Sequence, residues 1–337
     1  NFINILNHIL RPQEWVVAQL LTLFHHALVT FGMTAGPSPA WGIAIMCLVL
    51  VIRICLLPLF LSQMRAMQRI QVLQPQIQRI QHKYAARKDP RSKEAMQREI
   101  MALQQRYNAN PLGSCLPSLI QAPILCSLFY TLQSLPAIAD GNAEPLGGID
   151  HTMAGDIESS SIFGVRIADS FGTVASPQSR IIIGVAVALM CLTLFAIQWM
   201  LIHRNTSKDA MVSPQFRVQK MTVFVFPAIY VVSGATLPFG VLLYWLTNNL
   251  WNLGQTLCQL RWFPTPGSAA GERKARRDYE QDNRRRAAAG LPSLEEERAM
   301  AAREEAKARR EREKSAASRN RKQHKTPHLA KRSIVKR

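Results

Sequence analysis

Residues Trp41 to Leu61 read WGIAIMCLVLVIRICLLPLFL, an apolar run interrupted by one charge, Arg53. A helix of about 20 such residues crosses the ~30 Å hydrocarbon core of a bilayer. Arg53 lies about 8 residues, or roughly 12 Å, from the polar end of the run, too deep for its head to snorkel clear of the hydrocarbon. A guanidinium at that depth costs at least ~2.5–3.5 kcal/mol on insertion scales. It implies either a polar cavity within the membrane or an arginine bonded to helix carbonyls, and intramembrane charges favour the first.

Outward from this run the chain alternates apolar and charged blocks. It has 337 residues, 48% of them hydrophobic, yet carries a formal charge of +19. Before the run, Gln19, Thr22, His26 and Thr30 share one helical face of the apolar stretch from Trp15 to Met33. This pattern predicts an amphipathic helix lying in the membrane interface, with His25 and His26 as interfacial polar residues and a sixth span as the other option. Gly36-Pro37-Ser38-Pro39 then breaks the chain.

After Leu61, Met64, Met67, Ile70, Leu73, Ile77, Ile80 and Tyr84 recur at helical spacing. The pattern resumes with Met96, Ile100, Leu103 and Tyr107 beyond a turn at Lys88-Asp89-Pro90-Arg91-Ser92. Two antiparallel amphipathic helices are expected, the first kinked at Pro75. Ten Lys/Arg against three Asp/Glu between Ser62 and Ser114 put this hairpin in the cytoplasm.

Further spans are expected at about 115–135, 181–202, 221–234 and 237–260. The intervening loop 136–180 holds six acidic and two basic residues and is placed outside. The N-terminus is then extracytoplasmic and the C-terminus cytoplasmic. The expected organisation is an interfacial helix and linker (1–39), a five-span core (40–263) and a largely disordered basic tail (264–337). The fold class is an all-α polytopic membrane protein.

The five spans contain no Asp, Glu or Lys, so Arg53 lacks an acidic partner within them. Proton relays and cation pathways usually need such carboxylates. Neutral hydrogen-bonding residues are present instead: Gln121, Gln198, Tyr244, Trp245, Thr247, Asn248 and Asn249. An arginine among such groups implies a wet groove whose missing negative charge comes from a passing substrate. Gln198 and Asn248 taken alone fit helix-to-helix bonding equally well. Six cysteines lie in or beside apolar runs without CxxC or zinc-ligand spacing, which favours neither a disulfide nor a metal.

Three stretches, VIRICLLPLF, NPLGSCLPSLIQAPI and LPFGVLLYWLTNNLWNLGQ, resemble the YidC/Oxa family of membrane protein insertases, in matching order from about Trp41 to Arg261. Ser114 and Ala122 depart modestly from the family's motif. The resemblance, closest to compact actinobacterial forms, implies five helices around a groove open to cytoplasm and lipid. It implies Arg53 as the groove arginine, Gln198 and Trp245 as polar groove positions, and nascent membrane proteins as substrate, with the Sec translocon as an associate. The setting would be the bacterial plasma membrane. No enzyme chemistry or cofactor is required, and no GxxxxGK[ST] motif appears. The rival class is a transporter or channel binding an anion at Arg53, disfavoured by the lack of inverted repeats.

Ser268 to Arg337 hold 22 Lys/Arg and 11 Asp/Glu. Ser293-Leu294-Glu295-Glu296 reads as a capped start for a charged helix to Lys314. Beyond it, Arg319, Arg321, Lys322, Lys325, Lys331, Arg332, Lys336 and Arg337 form a basic, aperiodic end expected to be disordered. Ribosomal RNA and anionic lipids are its two physical partners, and the family's use of basic tails at the ribosome favours RNA.

Overall fold

The computed structural model describes residues 2–86, 89–109, 116–212 and 214–325. It divides into two compact units, Asn1–Glu272 and Arg273–Arg337. The first is helical apart from a small hairpin. In order it contains α1 (Phe2–Thr30), α2 (Ala40–Cys55), α3 (Leu57–Val72), α4 (Gln74–Tyr84), α5 (Pro90–Arg106), α6 (Leu116–Ala139) and α7 (His151–Ser159). Then come the antiparallel strands β1 (Ser161–Ile162) and β2 (Val165–Arg166), followed by α8 (Pro177–Asn205), α9 (Pro214–Thr236) and α10 (Phe239–Trp262).

Among the described residues, three helical segments are long and apolar enough to cross a membrane, Gln121–Ala139 of α6, Pro177–Asn205 and Phe216–Thr236, and there are four if the bent pair α2 and α3 is one span. The long α10 falls short of that measure because Asn248, Asn249, Asn252, Gln255 and Gln259 dilute its apolar content.

Within the stretch expected to span over about 41–62, the chain bends by 54° between Cys55 and Leu57. Pro58 supplies the cause. It has no N–H to donate, and its ring clashes with the carbonyl four residues earlier. As a residue of the first turn of α3 it is tolerated, so the helix restarts there instead of continuing. The kink expected at Pro75 is likewise a restart, since α3 ends at Val72 and Pro75 lies in the first turn of α4.

The main core joins α1, α2, α6, α7 and α10. Trp41, Ala44, Ile45, Leu48 and Val49 form the inward face of α2 and pack on Val17, Ala18 and Leu21 of α1 and on Leu128, Leu132 and Leu135 of α6. The histidine reading for α1 is corrected in part. His25 is buried, with its ring stacked on Trp41 at 3.7 Å, while His26 stays exposed. Burial, with His26 beside it, pushes the His25 imidazole below its ordinary value, and Asp156 opposes that shift.

A second core joins α8, α9 and α10 through Ile183, Met190, Phe239, Leu242 and Leu243, with Tyr230 at its edge. The loop between α7 and α8 fixes the start of α10. Phe239 N–H donates to Asp169 O at 2.7 Å and Gly240 N–H to Ile167 O at 2.9 Å. These carbonyls satisfy helix-start donors that Pro238 cannot cap with a side chain. A Cβ on Gly240 would fall 2.7 Å from Ile167 Cγ2, so the close approach needs glycine.

The hairpin closes on a small core of Leu73, Ile77 and Ala109, with Ile70, Ile100 and Leu103 beside them. Lys83 Nζ bonds Glu99 at 2.9 Å across α4 and α5, holding the Glu99 carboxyl below its ordinary range. Asp89 caps α5 by accepting from Ser92 N–H at 2.9 Å.

The second unit holds most of α11 (Ala269–Ala288) and all of α12 (Leu294–Lys325). The capped start is present: Glu296 N–H donates to Ser293 Oγ at 3.2 Å, and Ser293 N–H to the Glu296 carboxylate at 2.9 Å. Within the tail the described residues are helical over 269–288 and over 294–325, a range that includes the charged helix expected to Lys314. The excess of Ala, Arg, Lys and Glu, all strong helix formers, carries α12 eleven residues past Lys314.

Candidate functional site

Arg53 extends the inward face of α2. It lies four residues after Val49 and five after Leu48, so the periodicity that buries the N-terminal part of the helix aims the guanidinium into the bundle. There Arg53 Nε donates to Asn248 Oδ1 at 2.8 Å, and Nη2 donates to the same oxygen. Asn248 lies one turn after Tyr244 on α10, and the Tyr244 hydroxyl accepts from Gln121 Nε2 of α6. Three helices thus converge on one polar cluster. No acidic side chain pairs with Arg53 among the described residues.

The cluster opens into a cleft of about 410 Å³. Leu56, Leu59, Phe60 and Gln63 line it from the bend between α2 and α3, Gln121, Ala122 and Leu125 from α6, and Trp251, Asn252 and Gln255 from α10. Had α2 continued straight past Cys55, Leu59, Phe60 and Gln63 would lie on a different line. The bend is what makes them a wall. The cleft can offer one fixed positive charge, several carboxamide donors and acceptors, and an apolar rim. Gln121 Oε1 is buried without a hydrogen-bond partner, so the cluster keeps an acceptor in reserve.

The structure brings together Arg53, Gln121, Tyr244 and Asn248 of the expected site residues. Of these, Arg53 and Gln121 line the cleft itself, with Asn248 and Tyr244 bonded behind them, while Trp245 and Gln198 do not line it. Trp245 instead packs edge-on against Tyr230 of α9 at 4.8 Å and abuts both cores. Asn249 is buried on another face of α10. Sequence reasoning missed Gln63, Trp251, Asn252 and Gln255. The signal was available for α10: positions 248, 251, 252 and 255 follow i, i+3, i+4, i+7 and share a face.

In the tail, Arg319, Arg321, Lys322 and Lys325 fall on α12. Lys331, Arg332, Lys336 and Arg337 lie outside the described residues, as do residues 110–115, the start of the NPLGSCLPSLIQAPI motif.

Comparison with known proteins bears on this geometry. Residues 33–265, which include every residue lining the cleft, match the family described as 60Kd inner membrane protein. The chain is 44% identical to the Membrane protein insertase YidC of Bifidobacterium longum over 305 residues, 90% of each chain. A protein of the same name from Streptomyces avermitilis is 35% identical over 77% of this chain and 59% of its own. A third, from Tropheryma whipplei, is 30% identical over 81% of this chain and 90% of its own.

Proposed function

Because the chain belongs to the 60Kd inner membrane protein family, whose curated relatives carry the name membrane protein insertase YidC, we propose that it inserts nascent membrane proteins through the Arg53 cleft. The single observation that carries this reading is the state of Arg53. A permanent charge faces a cleft in an apolar helical bundle and is bonded to a neutral carboxamide, so it can accept an anionic visitor. In this reading α2–α3, α6, α8, α9 and α10 are five spans of the plasma membrane, with the N-terminus outside, α1 on the outer interface and the hairpin in the cytoplasm.

The polar or acidic flank of a client enters the cleft from the cytoplasm, drawn to Arg53, while its apolar segment moves past the rim into lipid. Attraction between Arg53 and a carboxylate at ~4 Å is worth roughly 4 kcal/mol at an effective dielectric of 20, which offsets part of the flank's dehydration. Partitioning of the apolar segment into lipid completes the transfer. No bond is made or broken. A mid-membrane anion carrier would use the same charge. The carboxamides and apolar rim around Arg53 suit an extended peptide better than a small ion.

The test is protease protection of a freshly translated single-span client in vesicles holding the full chain. Wild type should protect the outer flank above empty vesicles, and Arg53→Ala should lose most of that protection for acidic flanks. Equal protection with and without the protein would remove the insertase reading.

The basic end of α12, through Arg319, Arg321, Lys322 and Lys325, with Lys331, Arg332, Lys336 and Arg337 beyond it, is assigned to ribosomal RNA. Deleting 294–337 should abolish ribosome co-sedimentation at low salt; unchanged co-sedimentation would exclude this role. Anionic lipids are then the remaining partner for that charge, and work beside the Sec translocon is compatible with the same cleft.

A further inference from the structure

We propose that Asn248 sets the client specificity of the cleft by occupying Arg53 until a carboxylate displaces it. The inference rests on the insertase reading and adds a role that the presence of Arg53 alone does not imply. Asn248 Oδ1 takes both Nε and Nη2 of Arg53, the edge of the guanidinium that a carboxylate grips with two parallel bonds. One neutral oxygen shared between two donors is a weaker partner than two charged oxygens in register. An entering Asp or Glu side chain therefore wins the exchange. A neutral flank offers no better bond than the one it must break.

The choice of asparagine follows from what its neighbours in chemistry would do. Aspartate would carry the same reach with a full charge, form a permanent ion pair and close the site. Alanine would leave a half-buried guanidinium without its acceptor, a costly state that any polar visitor relieves. The carboxamide lies between these extremes: it holds the charge in place yet yields to a stronger acceptor. The bond from Gln121 to the Tyr244 hydroxyl, one turn away, ties that part of α10 to α6 and keeps Asn248 facing Arg53.

The experiment uses the full-length protein in vesicles with two single-span clients identical except that the translocated flank bears Asp/Glu or Asn/Gln. The readout is the ratio of protected acidic-flank to protected neutral-flank client. Asn248→Asp should lower that ratio by about tenfold, the scale of one charge-assisted hydrogen bond. Asn248→Ala should also lower it, but by raising protection of the neutral-flank client, since a polar flank then has no bond to break at Arg53. A loss of acidic-flank protection in one variant and a gain of neutral-flank protection in the other cannot come from misfolding, which would lower both. Unchanged acidic-flank protection in Asn248→Asp, or neutral-flank protection that does not rise in Asn248→Ala, overturns the role of Asn248. Wild type protecting neither client above empty vesicles instead overturns the insertase reading beneath it.

Discussion

The α8–α9 face and the α2–α6–α10 cleft belong to one compact unit but present opposite surfaces. On α8 and α9, Leu192 is 64% exposed, Phe224 73% and Val232 69%, with Ile181, Val185, Ile229 and Val231 also exposed. In water such a surface would be an aggregation liability; against lipid chains it is the expected finish. The cleft has the reverse character, with Arg53, Gln63, Gln121, Asn252 and Gln255 gathered where hydrocarbon would penalise each of them. On the proposed reading the two surfaces of one bundle meet two solvents, lipid on one side and water on the other. A chain that carries both can hand a segment from one to the other.

The largest effect that would break this comparison is a charge moved between the faces. Ile229→Lys, near the middle of α9, should cost about 2.5–3.5 kcal/mol of membrane integration. Asn252→Lys, in the cleft, should cost well under about 1 kcal/mol, since its ammonium stays solvated. Translation into vesicles followed by alkaline extraction measures the integrated fraction of each. Equal losses would mean that the cleft is as dry as the lipid face.

A smaller effect sharpens the same point. Gln121→Leu removes the donor to the Tyr244 hydroxyl. In a wet cleft, water replaces the bond and stability falls by under about 1 kcal/mol, whereas a dry cleft would exact about 1–3 kcal/mol. Thermal unfolding of the purified variants separates the two.

Much of this arrangement was legible in the sequence. The all-helical order, the hairpin and the capping box at Ser293 each follow from local rules, namely apolar run length, 3.6-residue periodicity and a Ser with Glu three residues on. Arg53 stood out because a charge inside an apolar run has few explanations. The bend at Leu56 was missed although Pro58 was in view, because an apolar run tolerates a proline that either kinks a helix or starts a new one. Only packing decides between these. Trp245 was assigned to the groove by resemblance, while its contact with Tyr230 depends on how α9 approaches α10. His25 reads as polar, yet it is buried because α1 lies against Trp41, a tertiary contact that no local pattern encodes. The extension of α12 to Lys325 shows propensity outweighing an expectation drawn from charge alone.

The central claim is that a client passes through the cleft and not across the α8–α9 face. The most direct measurement places a photoreactive residue at Asn252 or at Leu192 and captures an arrested client whose acidic flank is entering. The account predicts strong adducts from the flank at Asn252 and background at Leu192. Equal capture at the two positions, or capture of the flank at Leu192 alone, would contradict it.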